Sequence, residues 1–270
     1  MTEGKTTVTR HDIGSGLASL GVEAGDILLV HSSLSRFGWV EGGADAVIDA
    51  LVDAVGEDGN VVVPTHTWST VHAKDPVFDV RRTPSVVGRI TEVFRERPES
   101  LRSMHPTHSC AAIGPLADEL TRGHETQITP CGSRSPYQRL IERGGKIVFL
   151  GVTLFVNTTF HALEETACVP WLFDRFEILY VVDYEGVRRK VPSRRHADGL
   201  RRDYEGLEPL LEREGALAKG QIGDATVRVM DAARMAGVLL PRMAENPFLT
   251  LGEEFAKRER KRYDRWRDSW

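Results

Sequence analysis

The stretch DILLVHSSLSRFGWVEGGADAVIDALVDAVGEDGNVVVPTHTW, residues 26–68, predicts a strand, a helix and a second strand in succession. Residues 26–30 form an apolar run that ends at a polar cluster, which is typical of a buried strand. In residues 42–56 the apolar side chains recur on one helical face, and Gly56 ends the segment. Three valines at 61–63 supply the second strand. The pattern predicts helices packed on a largely parallel sheet.

Two further helices are predicted from their first residues. Thr83 followed by Pro84 resembles a cap with proline at the first helical position, leading into the segment SVVGRITEVFRER. Ser135, Pro136 and Gln138 have the spacing of a capping box, which predicts a helix over the residues that follow. A strand and another helix come next, so the alternation of elements continues.

We therefore expect an α/β fold in three layers, with a mostly parallel central sheet flanked by helices. Residues 176–192 predict a β-hairpin and residues 199–214 an amphipathic helix, which form a C-terminal elaboration. The sequence contains no linker rich in Pro, Gly or Ser. Residues 1–270 are thus expected to form a single domain, with its core over about 10–230 and a helical extension over 231–270.

The composition limits the classes of function. With 41% hydrophobic and 27% charged residues, the chain is close to the globular average, which excludes a disordered or fibrous protein. A net charge of −4 disfavours a nucleic-acid partner. Three cysteines without a CxxC pair favour a reducing cytoplasm over a disulfide framework. No apolar run approaches the ~20 residues of a membrane span, and the N-terminus does not resemble a signal peptide.

The strongest signal for chemistry is NTTFHALEE, residues 157–165. On a helix, His161 and Glu164 share one face, and Glu165 lies one residue further along. A carboxylate can fix the tautomer of an imidazole and raise its basicity, so this pair suits a general base near neutral pH. The alternative is a structural histidine that hydrogen-bonds a backbone group.

Polar clusters at 31–35, 64–68 and 151–165 each follow a predicted strand. Because ligands of open α/β sheets bind beyond the carboxyl ends of the strands, we expect these clusters to share one cleft. A further turn, Thr129–Pro136, leads into a helix N-terminus that suits a phosphate or a developing oxyanion, or is a plain capped turn. Cys131 within it is a candidate nucleophile or an inert thiol.

Two histidines, His105 and His108, resemble metal ligands. Pro106 between them makes the segment extended, so the two rings are expected to diverge, and the sequence shows no matching third ligand. We therefore expect no metal. The competing interpretation is a metal-dependent hydrolase that uses these two histidines with His161 and Glu164.

Five segments, in this order and spacing, resemble the aminoglycoside 3-N-acetyltransferase family. They are residues 28–51, 61–68, 102–115, 131–140 and 146–165. The resemblance covers roughly residues 10–230 and implies an acetyl-CoA-dependent N-acetyltransferase whose α/β fold differs from the GNAT fold. It also implies direct transfer in a ternary complex, a monomer or homodimer, and a small amine as acceptor.

The resemblance further implies roles for particular residues. His161 would be the general base, oriented by Glu164 or by a carboxylate elsewhere in the chain, and Thr67 would approach the thioester. The residues implied in coenzyme A binding are His31, Ser32, Ser33, Gly132, Ser133, Ser135 and Pro136. Those implied in acceptor binding are His66, Asp75, His108 and Glu165.

The sequence is compatible with two classes of acceptor. The family default is the 3-amino group of an aminoglycoside, a polycation that favours a carboxylate-lined cleft. Residues 69–80 are shorter than the loop of typical family members, and only Asp75 and Asp79 in them are acidic. Together with the arginines at 188–195, this loop makes a different amine, anionic or a natural product, the competing acceptor. A third interpretation is a ligand-binding protein without catalysis.

Overall fold

In the computed structural model, which describes residues 6–267, twelve strands and nine helices are assigned within that range. The strands are β1 (Thr7–Val8), β2 (Ile27–Ser32), β3 (Trp39–Val40), β4 (Asn60–Pro64), β5 (Val77–Asp79), β6 (Leu101–Arg102), β7 (Cys110–Ile113), β8 (Lys146–Leu150), β9 (Phe173–Val182), β10 (Arg188–His196), β11 (Leu217–Ile222) and β12 (Ala225–Asp231).

The helices alternate with these strands through most of the chain. They are α1 (Arg10–Ser19), α2 (Gly43–Val55), α3 (Arg89–Glu96), α4 (Ala117–Thr121), α5 (Pro136–Glu142), α6 (Thr159–Thr166), α7 (Glu208–Arg213), α8 (Ala232–Glu245) and α9 (Glu253–Arg267). Short 3₁₀ turns lie at Leu34–Arg36, His124–Thr126, Leu154–Val156 and Glu205–Leu207.

A seven-stranded sheet in the order β11-β12-β8-β2-β4-β7-β6 carries the fold. The predicted α/β architecture, with helices flanking a central sheet, is confirmed. Only β8, β2 and β4 pair in parallel, however, and the strands outside them pair antiparallel. The expectation of a mostly parallel sheet is corrected here, because β11–β12 and β6–β7 are joined by connections too short for a crossover helix.

Both faces of the central strands are buried, as their continuous apolar sequence requires. Leu29 and Phe149 face a cluster that includes residues of α5, α6 and α8, whereas Leu28 and Val148 face a second cluster that includes residues of α1, α2 and α3. This alternation follows from the two-residue period of a strand. The result is the expected three layers of helix, sheet and helix.

A smaller sheet in the order β10-β9-β5 lies outside this arrangement. Its two long strands form the predicted hairpin, with Val182 opposite Arg188 at the turn. The third strand, β5, falls in a segment predicted as a loop and pairs in parallel with β9. The guanidinium of Arg195, on β10, is buried and donates to the carbonyls of Trp68 and Val71 at 2.9 and 3.1 Å. The hairpin is thereby fixed to the loop that follows β4.

Two predicted helix boundaries are corrected. The helix expected to begin at Pro84, after a Thr83 cap, begins instead at Arg89, because Gly88 directly before it has a φ of 128° and breaks the helical conformation. The helix expected over 199–214 is shorter: a 3₁₀ turn precedes α7, and Gly199 has a φ of 73°, in the left-handed region.

The residues after 230 contribute to the interior. Met235 and Leu239 of α8 join the same apolar cluster as α5 and α6. The charged C-terminal segment forms α9 as predicted, although Phe255 and Tyr263 pack against buried residues and residues 268–270 lie outside the described part of the chain. No helix within residues 6–267 has the length and apolar character needed to cross a membrane.

The buried face of β8 gives a test of this packing. Phe149 is fully buried, whereas Phe176 on β9 is 58% exposed. Phe149→Ala should lower the free energy of unfolding by about 3–5 kcal/mol, and Phe176→Ala by less than about 0.5 kcal/mol. Urea denaturation of the two variants checks this, and equal losses would contradict the assigned layers.

Candidate active site

A cavity of about 510 Å³ opens at the carboxyl ends of β2, β4 and β8. Ser32 contributes from the end of β2, His66 from the segment after β4, and Thr158 and His161 from the segment after β8. The three polar clusters that follow predicted strands therefore do share one cleft, because parallel neighbours end at the same edge of the sheet.

His161 is carried into this cavity by α6. The side chain of Asn157 satisfies the first amide of the helix, because its Oδ1 accepts a hydrogen bond from the Thr159 amide at 3.1 Å. One turn along, Nδ1 of His161 lies 2.6 Å from Oε2 of Glu164. Glu164 is fully buried, while the side chain of His161 is 16% exposed toward the cavity. The helical spacing thus forms the pair that the sequence predicts.

Three groups from later in the chain complete the surroundings of Glu164. Its Oε1 accepts hydrogen bonds from the Tyr204 hydroxyl at 3.0 Å and from the Thr250 hydroxyl at 2.7 Å. The Nε of Arg202 lies 4.0 Å from Oε2. No sequence pattern predicts these contacts, because the residues are about 40 to 86 positions away from Glu164. Together they compensate a carboxylate that water cannot reach.

The electrostatics favour a neutral imidazole with its free nitrogen toward the cavity. Burial raises the pKa of Glu164, an effect opposed by Arg202, Thr250 and Tyr204. Burial and then the charge of Arg202 hold the pKa of His161 well below its ordinary value. When the Nδ1–H group donates a hydrogen bond to Glu164, the ring stays neutral and Nε2 keeps its lone pair. Such a group can accept a proton from a bound substrate.

A second histidine–carboxylate pair packs against the first. Nε2 of His196 lies 2.9 Å from Oε1 of Glu165, which also accepts from the Cys131 amide at 2.9 Å. The ring of His196 lies 4.2 Å from that of His161, centroid to centroid. Burial and the proximity of His161 lower the pKa of His196 to about 4. Glu165, predicted to contact the acceptor, supports this second pair and does not line the cavity wall.

Potential metal ligands converge, but they are not the histidines His105 and His108 of the hydrolase interpretation. Within residues 6–267, the ligating atoms of Cys131, Glu165 and His196 lie within 4.8 Å of one another. The hydrogen bonds from His196 and the Cys131 amide to Glu165 account for this clustering. The rings of His105 and His108 are 6.2 Å apart and inclined by 75°, so they diverge as the intervening proline predicts.

Three more histidines that the family resemblance implies in ligand binding line the cavity. His31, His66 and His108 all form part of its wall, as does Ser32. Nε2 of His66 lies 2.6 Å from the Tyr137 hydroxyl. Burial lowers the pKa of His31 and of His66 to about 3, so both rings are neutral at pH 7. These residues can shape and orient a ligand without adding charge.

Several other predicted residues lie away from the cavity wall. The Thr67 hydroxyl is buried and donates to the Pro106 carbonyl at 2.6 Å, and Asp75 pairs through its backbone with His72. Ser33 follows Ser32 but does not line the wall, and its hydroxyl lies 3.4 Å from that of Ser35.

The predicted coenzyme A segment at 132–136 is also separate from the cavity wall. Ser135 is fully buried and caps α5, since its hydroxyl accepts from the Gln138 amide at 3.2 Å, and Pro136 is buried beside it. The Ser133 hydroxyl lies 3.5 Å from Oε1 of Gln127. A Cβ atom at Gly132 would collide with the same Oε1 atom. This segment holds Tyr137 against His66, an indirect contribution to the site.

Comparison with known proteins identifies the family. A profile of the family described as aminoglycoside 3-N-acetyltransferase matches residues 29–244. Aminoglycoside N(3)-acetyltransferase VII of Streptomyces paromomycinus is 34% identical over 220 residues, 75% of this chain and 76% of its own. The SPbeta prophage-derived aminoglycoside N(3')-acetyltransferase-like protein YokD of Bacillus subtilis (strain 168) is 29% identical over 241 residues, 82% of this chain and 87% of its own.

Solved structures give the same result. AAC-IIIb in a binary complex with CoASH superimposes with a TM-score of 0.78 at 26% identity, covering 92% of this chain and 99% of that one. A variant of aminoglycoside acetyltransferase AAC(3)-IVa in complex with a gentamicin gives a TM-score of 0.82 at 26% identity, covering 94% and 95%. Fold and relatives define an N-acetyltransferase. The chain belongs to the aminoglycoside 3-N-acetyltransferase family.

The buried imidazoles predict a steep loss of stability in acid. Seven histidines have pKa values lowered chiefly by burial, namely His31, His66, His105, His108, His124, His161 and His196. In the unfolded chain they titrate near 6.5, so below that pH the unfolded state binds more protons. Stability should be full well above pH 6.5 and fall as the pH drops below it, each histidine contributing at most ~1.4 kcal/mol per pH unit, so that the protein unfolds before most of these rings are charged.

Urea denaturation between pH 7.5 and 5 checks this expectation. The variant His196→Gln should reduce the slope by about one histidine's share, ~1.4 kcal/mol per pH unit. His11→Gln, at an exposed position on α1, is the matched control for the substitution itself. A free energy of unfolding that is flat over this range would refute the assignment of buried neutral rings.

Proposed function

We propose that this protein transfers the acetyl group of acetyl-CoA to an amine, with His161 as the general base. The observation that carries the proposal is the pairing of His161 with the buried Glu164 at the wall of a 510 Å³ cavity. Relatives named as N-acetyltransferases and a CoASH-bound structural neighbour support acetyl-CoA as the donor.

The reaction begins with a protonated acceptor, because amines of this kind are ammonium ions at neutral pH. Nε2 of His161 removes one proton, directly or through a water, and the amine nitrogen attacks the thioester carbonyl. The new C–N bond forms, the C–S bond breaks, and the electron pair leaves on the thiolate of coenzyme A. The proton that the attacking nitrogen must still lose passes to that thiolate, and the imidazolium of His161, stabilised by Glu164 until then, releases its proton to the solvent. No acetyl-enzyme is required.

The tetrahedral intermediate carries negative charge on oxygen and needs hydrogen-bond donors. The hydroxyl of Thr67, the residue that the family resemblance implies at the thioester, donates to the carbonyl of Pro106. The hydroxyls of Ser32 and Thr158 are better candidates, since both residues line the cavity and neither hydroxyl has a hydrogen-bond partner among the described residues. We assign Ser32 to the pantetheine side of the donor and Thr158 to the oxyanion.

The acceptor class suggested by the family is an aminoglycoside, acetylated on its 3-amino group. One structural neighbour is a complex with a gentamicin and another, AAC-VIa, is bound to sisomicin. These ligands belong to those proteins, and for this chain they define the first acceptors to assay.

Removal of the base tests the mechanism. His161→Ala should reduce turnover with acetyl-CoA by at least ~10²-fold, the lower end expected for loss of a general base. Binding of coenzyme A, measured by calorimetry, should stay within about twofold because the pantetheine contacts remain. His11→Ala, an exposed histidine on α1, is the control. Full activity of the His161 variant would remove the mechanism.

The partners of Glu164 give a graded test. Glu164→Gln should lower kcat by ~10²-fold or more, because a neutral amide stabilises the imidazolium poorly. Tyr204→Phe and Thr250→Val each remove one donor to Glu164, and each should lower kcat by roughly 10-fold while KM for acetyl-CoA is unchanged. Steady-state kinetics separate the cases, and equal kcat in all three variants and the parent would contradict the proposed orientation of His161.

A further inference from the structure

A second imidazole packs against that of the proposed base. The ring of His196 lies 4.2 Å from that of His161, centroid to centroid, and the two planes are inclined by 38°. His161 is on α6, whereas His196 ends β10, directly after a register shift between Arg195 and His196. The contact therefore joins the base to the hairpin.

A carboxylate holds the second imidazole in place. Nε2 of His196 lies 2.9 Å from Oε1 of Glu165, which also accepts a hydrogen bond from the Cys131 amide at 2.9 Å. The side chains of His196 and Glu165 are each 8% exposed, so water competes little for this hydrogen bond. With Glu165 as the acceptor, Nε2 of His196 carries the proton, and burial keeps the ring neutral at pH 7 by lowering its pKa to about 4. The ring is thus a fixed, uncharged neighbour of His161.

Packing alone does not account for an imidazole at this position. Nδ1 of His196 is buried and has no hydrogen-bond partner among the described residues. An unpaired buried nitrogen destabilises a fold, whereas a phenylalanine fills a similar space without that cost. Neither His196 nor Glu165 lines the cavity, so any effect of the pair on the reaction passes through a residue that does. The closest such ring is that of His161, at 4.2 Å against 5.4 Å for His108.

The proposed reaction places a positive charge on His161, because the imidazole becomes an imidazolium when it removes a proton from the amine. Arg202 opposes that charge and, after burial as the larger cause, holds the pKa of His161 low. Glu164 favours the charge, but the same carboxylate also accepts hydrogen bonds from Tyr204 and Thr250. A second carboxylate close to the ring would stabilise the imidazolium further.

Glu165 supplies that second carboxylate through the ring of His196. A neutral ring that donates a hydrogen bond to a carboxylate gains electron density, and an electron-rich ring attracts a cation in contact with its face. The 4.2 Å contact places the imidazolium of His161 against this ring. Because Glu165 acts from one ring away, it does not compete with Glu164 for Nδ1 of His161.

We propose that the pair of His196 and Glu165 orients the ring of His161 and stabilises its imidazolium during acetyl transfer. His196 and Glu165 are positioning residues, since they act through His161. Their role rests on the proposed function, because it requires His161 as the base. The site then holds two histidine–carboxylate pairs, one that fixes the base by its Nδ1 atom and one that supports its ring.

Two variants separate the ring of His196 from the charge of Glu165. His196→Phe keeps a ring beside His161 but cannot donate to Glu165, and Glu165→Gln keeps an acceptor for His196 without the charge. We expect each to lower kcat for thiol release from acetyl-CoA, with sisomicin or gentamicin as acceptor, by about 10-fold, while KM for both substrates stays within about twofold. Rates are expressed per coenzyme A-binding site, counted by calorimetry, so a loss of folded protein does not lower kcat.

A double variant shows whether the pair acts through the base. In the His161→Ala background, Glu165→Gln should leave the residual turnover within about twofold, because no imidazolium forms there. Asp183→Asn is the matched control. This carboxylate is also buried, but it is paired with Arg189 at the turn of the hairpin, so kcat per binding site should not change.

The outcomes distinguish the role of the pair from the proposed function. Unchanged kcat per binding site in His196→Phe and Glu165→Gln, with His161→Ala inactive, overturns the role of the pair and leaves acetyl transfer by His161 intact. A rise in KM without a fall in kcat, or a further 10-fold loss in the double variant, also overturns it, since the pair would then act on a substrate. Full turnover by His161→Ala, or no turnover of either acceptor by a parent protein that binds coenzyme A, overturns the proposed function and the role of the pair with it.

Discussion

The site depends on the hydrogen bonds of one buried carboxylate, that of Glu164. It is fully shielded from water, so its charge is stable only while Tyr204, Thr250 and Arg202 approach it from segments that follow the hairpin. The same carboxylate fixes the ring of His161. The imidazole of His161, the proposed base, is therefore oriented only when the last quarter of the chain has folded against α6.

Local features of the fold and the site could be predicted from the sequence. The alternation of apolar strands with one-faced helices defines the three layers, because both patterns arise within about ten or fifteen residues. The pair of His161 and Glu164 follows from helical spacing in the same way. The common cleft follows from the direction of parallel strands, and the structure places Ser32 and His66 there.

The missed features depend on contacts between distant residues or on side-chain direction. Tyr204 and Thr250 reach Glu164 only through the folded chain, which leaves no local pattern. In the extended segment after β4, successive side chains point to opposite sides, so His66 lines the cavity and Thr67 turns away from it toward Pro106. The antiparallel direction of the outer strands follows from the short connections between them. The sequence does not predict those connections, because strands as short as β6 and β7 give only a weak apolar pattern.

The guanidinium of Arg195 joins the loop after β4 to the hairpin through two carbonyl groups. These two hydrogen bonds hold the loop against the hairpin beside the mouth of the cavity. A longer loop taken from a relative would carry those carbonyls elsewhere and deprive the buried guanidinium of two of its three acceptors among the described residues. Exchange of acceptor loops between relatives should then succeed only when the hairpin is transplanted with them, so the two segments are expected to diversify together.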